Sequence, residues 1–257
     1  MEKLQPPTNP SQDDSDIPPY TPTTCVSFAT LTISKSDRIR LISFPRTIID
    51  AVEETIQSYW PRGIQSTREY NSSHEIKLCG WPWSTIGDEA FLATRLMCRI
   101  LAMLHSHGWI IRLPTGISNN IENKTALIFR HQQPAPNPCE WVAISFSSSD
   151  LLHFVDAPTS LVQAVVADLS LVTKSHRPHK MQDVYELKMY GYPWTAIGRD
   201  SVQVWKLALK LMETLEAHGF SVCASVSQKG GSQAAEDDTW YCCRREGWVS
   251  GMPGYDG

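Results

Sequence analysis

The chain has 257 residues, a formal net charge of −4 and a hydrophobic fraction of 42%. These values are typical of a globular protein, and the slight acidic excess argues against binding to the phosphate backbone of nucleic acids. The most apolar segment contains Arg95 and Arg99, so no stretch of the sequence predicts a membrane span.

Residues 1–24 are acidic and rich in proline, and they lack the apolar run of a secretory signal. Such a segment cannot bury enough apolar surface to offset its loss of entropy on folding, so we expect a disordered tail. The seven cysteines are odd in number and lack the spacing of metal ligands. This pattern indicates reduced thiols in the cytoplasm or nucleus, and nothing in the sequence implies a metal or a cofactor.

The first predicted elements are a hairpin, a helix and a strand. Residues 25–33 and 38–44 read as two strands around a short turn, and a helix begins near Pro45. Ile76 and Leu78 then alternate with charged residues, which is typical of a strand with one buried face. A second helix is predicted over residues 88–107, and two strands follow near residues 109–117 and 125–130.

The same series of elements occurs again in the second half of the chain. The segment Gly80-Trp81-Pro82-Trp83-Ser84-Thr85-Ile86-Gly87 has a counterpart in Gly191-Tyr192-Pro193-Trp194-Thr195-Ala196-Ile197-Gly198. His107-Gly108-Trp109 likewise matches His218-Gly219-Phe220. A match over this length indicates a tandem duplication.

The duplication predicts an α+β fold made of two tandem ββαβαββ modules. Each module is expected to be a mixed or antiparallel sheet with two helices on one face, and a pseudo-twofold axis is expected to relate the two. The predicted boundaries are a disordered tail at 1–24, module 1 at 25–132, a proline-rich linker at 133–138, module 2 at 139–245 and a C-terminal tail at 246–257.

The repeated motif resembles that of a family of eukaryotic proteins found in fungi and some animals. The residues that carry the resemblance are Tyr185 to Trp194 and, in a more divergent form, His74 to Trp83. This resemblance supports the module boundaries and implies no activity, cofactor or catalytic residue.

The loops that carry Gly-x-Pro-Trp are the first candidate binding sites. Each proline fixes a turn, so the tryptophan that follows it can reach the core. The ring before the proline, Trp81 or Tyr192, then points outward, where it can act as a rigid contact for a ligand or partner. The alternative is that these rings only pack against their own module.

Charged side chains recur on the strand before each loop. Glu75 and Lys77 in module 1 match Glu186 and Lys188 in module 2, and all four face away from the predicted core. If partly buried, a glutamate there could serve acid–base chemistry. The alternative is a solvated face with pairing between strands.

Two cations recur on the second helix of each module, Arg95 and Arg99 in the first and Lys206 and Lys210 in the second. They predict a contact with an anion or an acidic partner. The alternative is long side chains that extend along the helix edge into solvent. Cys242 and Cys243 lie next to each other on a predicted strand, where adjacent side chains face opposite ways and cannot easily share a metal.

The sequence contains no nucleophile elbow, P-loop or dinucleotide-binding motif. We therefore expect a non-catalytic binding or scaffold protein that acts through the aromatic loops and a groove between the modules, with a protein or a small ligand as its partner. The alternative is a small-molecule enzyme or ligand carrier whose pocket lies between the modules and uses Glu75 or Glu186.

Overall fold

A computed structural model describes residues 26–83, 87–115, 123–228 and 237–255. The tail predicted at 1–24 and the last two residues lie outside these ranges. None of the helices in the described ranges is long and apolar enough to cross a membrane.

Module 1 contains six strands and two helices in the order ββαββαββ. They are β1 (Phe28–Ser34), β2 (Arg38–Ile42), α1 (Arg46–Tyr59), β3 (Ile64–Tyr70), β4 (Ser73–Leu78), α2 (Asp88–Ser106), β5 (Trp109–Thr115) and β6 (Asn123–His131). The strands form one antiparallel sheet, sheet 1, in the order β3-β4-β2-β1-β6-β5.

Module 2 repeats this order. Its elements are β7 (Cys139–Ser147), β8 (Leu151–Val155), α3 (Thr159–Asp168), β9 (Thr173–Pro178), β10 (Val184–Met189), α4 (Ser201–Ala217), β11 (Ser221–Gln228) and β12 (Asp237–Arg245). They form antiparallel sheet 2 in the order β11-β12-β7-β8-β10-β9. The predicted α+β class and the tandem repeat are confirmed.

Each module has one strand more than predicted, β3 in module 1 and β9 in module 2. Both are edge strands that pair only with the strand that follows them. Almost all of their side chains are exposed. They therefore lack the alternation of apolar and polar residues that reveals a half-buried strand in a sequence.

The two modules are stacked rather than related by the predicted pseudo-twofold axis. Helix α2 packs against β7, on the face of sheet 2 that is opposite to α3 and α4. Module 1 thus contributes α2, together with β5 and β6 at the edge against β11, and module 2 contributes one face of its sheet. A twofold axis would also place α4 against sheet 1, as α2 lies against sheet 2. The layers follow in the order sheet 1, α1 and α2, sheet 2, α3 and α4.

This stacking buries both faces of sheet 2. Trp141 and Ala143 of β7 pack toward α2, whereas Val142 and Ile144 pack toward α3 and α4. On β12 the adjacent Cys242 and Cys243 likewise belong to the two different cores, as the alternation along a strand predicts.

The C-terminal segment also contributes to the contact between modules. The hydroxyl of Tyr255 lies 2.7 Å from Nε2 of His105, which is on α2. The ring of Trp248 lies against Gly219, at the end of α4. The described part of the predicted C-terminal tail is therefore packed on the two modules.

Candidate functional site

In each Gly-x-Pro-Trp loop the tryptophan after the proline is held by the hairpin that opens its module. The Trp83 indole N–H donates to the Arg38 carbonyl at 3.2 Å, and the Trp194 indole N–H donates to the Leu151 carbonyl at 3.0 Å. Trp83 is fully buried, and Trp194 is half-buried against Phe146. These bonds fix each loop over the sheet.

The ring before the proline lies on the surface, as the turn predicts. Trp81 is 67% exposed and Tyr192 is 69% exposed. The two rings have different surroundings, however, because Tyr192 lines a large groove in module 2.

Glu75 lies on the side of sheet 1 that faces away from the helices, and its side chain is only 1% exposed. Its carboxylate accepts hydrogen bonds from Arg40 Nε at 2.7 Å and Arg68 Nε at 2.8 Å, and it also binds Arg38. Burial disfavours the charged form, but the hydrogen bonds from Arg40, Arg68 and Arg38 outweigh it and lower the pKa of Glu75. A carboxylate held by three guanidinium groups is a poor general base.

Glu186 holds the same place in sheet 2, with different partners. Its carboxylate lies 2.9 Å from Arg177 Nε and 3.3 Å from Nε2 of His153. Burial raises the pKa of Glu186, but its contacts with His153 and Arg177 lower it to a greater extent. The two strand lysines are also paired: Lys77 lies 3.8 Å from Asp37, and Lys188 lies 3.3 Å from Asp150.

His153 connects Glu186 to a small pocket between the modules. Its ring stacks edge-on against Phe91 of α2, and its Nδ1 lies 3.1 Å from the Ser147 hydroxyl. The pocket has a volume of about 240 Å³ and is lined by both modules. Burial lowers the pKa of His153 in spite of the neighbouring Glu186, so the imidazole is neutral near pH 7.

The cations of α2 and α4 occupy different environments. Arg95 Nε and Arg99 Nη2 lie 2.8 and 2.9 Å from the two carboxylate oxygens of Asp156 in module 2, so they join the modules. Lys210 lies 3.6 Å from Asp168 within its own module. Among the described residues, Lys206 has no ion-pair partner. Lys206 and Lys210 therefore occupy the positions on α4 that Arg95 and Arg99 occupy on α2, but no acidic residue of the other module pairs with them among the described residues.

The surface that bears these lysines is apolar. Four side chains along the solvent face of α4 are exposed, and we call them the outer face of module 2: Val202, Trp205, Leu209 and Met212. Their counterparts on α2 are Phe91, Thr94, Cys98 and Leu101, all of which are buried in the contact between modules. This surface was not predicted from the sequence, although its four residues are spaced as a second apolar stripe along α4.

A groove of about 720 Å³ lies beside this outer face. The groove is lined by the end of α3, the Gly-Tyr-Pro-Trp loop and the flank of α4, including Leu171, Tyr190, Tyr192, Ile197, Lys206 and Lys210. Three of the predicted binding residues, Tyr192, Lys206 and Lys210, thus meet at one site. The other seven do not line this groove.

The described residues include no group of three or more histidine, cysteine, aspartate or glutamate side chains that could hold a metal ion.

Comparison with known proteins identifies a domain family whose model matches the chain twice, over residues 27–130 and 140–243. The solved structure of a conserved kinetoplastid-specific protein from Trypanosoma cruzi is also similar. It has 14% sequence identity and a TM-score of 0.32, and the match covers 42% of this chain and 96% of that one. No curated protein matches the sequence.

The predicted resemblance to a fungal and animal family is wrong. The family that matches is the one whose domain occurs at residues 27–130 and 140–243.

Proposed function

We propose that this chain, which belongs to the family of that domain and carries two copies of it, is a non-catalytic binding protein whose partner docks on the outer face of module 2. One observation carries the proposal. The same face of the helix layer in module 1 is covered by a sheet, whereas in module 2 it is exposed and still apolar, with Trp205 71% exposed.

An exposed group of neighbouring apolar side chains of this kind is typical of an interface. A tryptophan with two flanking aliphatic side chains is a common centre of binding energy. Lys206 and Lys210 lie at the edge of the face, where Arg95 and Arg99 bind Asp156 in the contact between modules. The partner is therefore expected to present an apolar sheet face with a carboxylate at its rim.

The outer side of sheet 1 in a second copy of the chain is a poor candidate for that partner. It carries Glu75 with Arg38, Arg40 and Arg68, as well as Lys77. Covering these charges with an apolar helix would remove water from them without supplying new partners, which is costly. The outer side of sheet 1 is thus not the apolar sheet face that the proposal requires, and we propose a different protein as the partner.

Site-specific photocrosslinking in the cells that make the protein tests this proposal. A photoreactive phenylalanine analogue at position 205 should form an adduct with another protein, and Lys206→Glu should lower the yield through repulsion of the acidic rim. The matched control carries the analogue at position 81, the other strongly exposed tryptophan. Adducts from position 81 alone would place the contact on the loop of module 1 and contradict the proposal, as would adducts from neither position.

The second candidate is an enzyme or ligand carrier that uses Glu186. The contacts of His153 with Ser147 and Glu186 support it, because a hydroxyl, a neutral imidazole and a carboxylate in series can activate a nucleophile. In module 1, Arg40 stands in place of His153, so only module 2 has this series. Covalent labelling of Ser147 by a fluorophosphonate, lost in Ser147→Ala, would favour this candidate over the first.

A further inference from the structure

The groove in module 2 arises from a difference between the two copies of the domain. Helix α1 has 14 residues and ends before Trp60, whereas α3 has 10 residues and ends before Leu169. After the helix the two modules match again at Gly63 and Val172. The Cys79 N–H donates to the Gly63 carbonyl, and the Tyr190 N–H donates to the Val172 carbonyl in the same way. Module 2 thus lacks one turn of helix at this point.

In module 1, where the longer helix has this extra turn, the indole ring of Trp60 fills the equivalent space. Trp60 is buried, and its indole N–H donates to the Cys79 carbonyl at 2.9 Å. Module 2 has no aromatic side chain in this position. The carbonyl that matches that of Cys79 belongs to Tyr190, which lines the groove.

Module 1 also closes the mouth of this space with an ion pair. Arg62 extends over Gly80, where an added Cβ would meet the Arg62 side chain at 3.0 Å, and it binds Glu89. In module 2, Leu171 stands where Arg62 stands, and it is 94% exposed. Asp200 matches Glu89, and an added Cβ on Gly191 would meet nothing within 4 Å.

We propose that the groove of module 2 binds a small planar aromatic molecule that has a ring N–H, such as an indole, in the space that Trp60 fills in module 1. The ring lies among the apolar side chains of the groove, and its N–H donates to the Tyr190 carbonyl as the Trp60 indole does to Cys79. The volume of about 720 Å³ is within the range of small-molecule sites. This site adjoins the outer face of module 2 but contains none of the four side chains that define that face, so it goes beyond the proposed function.

The test is calorimetric titration of the full-length protein with indole and with 1-methylindole. Indole should bind with a Kd on the order of 1 mM or tighter, as a ligand of this size allows. The methyl group of 1-methylindole removes the donor and leaves the Tyr190 carbonyl unpaired, so this compound should bind at least about 10-fold more weakly. Equal affinities would overturn the proposal, and so would the absence of measurable binding by indole.

Two variants locate the site. Leu171→Arg brings a guanidinium opposite Asp200, as Arg62 is opposite Glu89, and should weaken indole binding about 10-fold or more by closing the mouth. Leu113→Arg, at another exposed leucine on β5, is the matched control and should bind as the unchanged protein does. Indole binding that survives Leu171→Arg would overturn the proposal. A circular dichroism spectrum of each variant checks that it is folded.

Discussion

The two rings of each Gly-x-Pro-Trp loop differ because a proline separates them. Pro82 holds a turn in which Trp83 reaches the core and donates a hydrogen bond to the Arg38 carbonyl, while Trp81 is left in solvent. The sequence was sufficient to predict this, because the turn residue and the two rings are adjacent in the chain.

Substituting these two tryptophans should therefore have opposite effects on stability. Trp83→Ala should lower the free energy of unfolding by about 3–5 kcal/mol, because it leaves a cavity and an unpaired Arg38 carbonyl. Trp81→Ala should change it by no more than about 0.5 kcal/mol. Urea denaturation of the two variants measures the difference. A harmless Trp83→Ala beside an unfolded Trp81→Ala would mean that the roles of the rings are reversed.

The groove was not predicted, because it is a shape made by missing residues rather than a set of chemical groups. Its one sequence signal is a difference in length between the two copies, where Ile56 to Gly63 in module 1 corresponds to the shorter Leu169 to Val172 in module 2. The charged residues at its rim, Lys206 and Lys210, were predicted as binding residues from their type and spacing alone. They were predicted to be equivalent to Arg95 and Arg99, which the structure places in a different environment.

At the scale of elements, the helices and the inner strands were predictable from their apolar stripes, whereas β3 and β9 were not. An edge strand on a wet surface is specified by its pairing with a neighbour, and pairing leaves little trace in hydrophobicity. The docking of α2 on sheet 2 was also missed. Asp156, which receives Arg95 and Arg99, lies in a loop after β8 and gave no signal of its own.

The Asp156 carboxylate should contribute measurably to the docking of α2. Asp156→Asn keeps the size of the side chain and its tolerance of the positive φ at this position, but it removes the charge. Asp156 is largely buried and its two arginines are partly exposed. We therefore expect the free energy of unfolding to fall by about 2 kcal/mol, which lies between the values for exposed and for buried ion pairs. Thermal or urea unfolding measures it.

Asp50→Asn provides the matched control. Asp50 pairs with Arg46 within α1, and both side chains are largely exposed, so this change should cost about 0.5 kcal/mol or less. Equal losses in the two variants would mean that the bridge between modules contributes no more than a surface pair does.

At the scale of the whole molecule, the order of the layers follows from a difference between two strands that match in the repeat. β1 alternates apolar and polar residues, as a strand with one wet face does, whereas Trp141-Val142-Ala143-Ile144 in β7 is a continuous apolar run. Such a run is typical of a strand covered on both faces. The sequence thus held a sign that sheet 2, and not sheet 1, lies inside the stack.

The stack predicts that the two modules unfold together. Without module 1, sheet 2 would expose to water the apolar side chains that now pack on α2, including Trp141, Val155, Val184, Val226 and Tyr241. An exposed face of this kind promotes aggregation and removes much of the hydrophobic stabilisation of the sheet. We therefore expect calorimetry of the full chain to give one transition whose calorimetric and van't Hoff enthalpies agree. Residues 137–255 produced alone should aggregate or bind a hydrophobic dye without a cooperative transition. Two separate transitions in the full chain, or a soluble and cooperatively folded module 2, would show that the contact between the modules contributes little to stability.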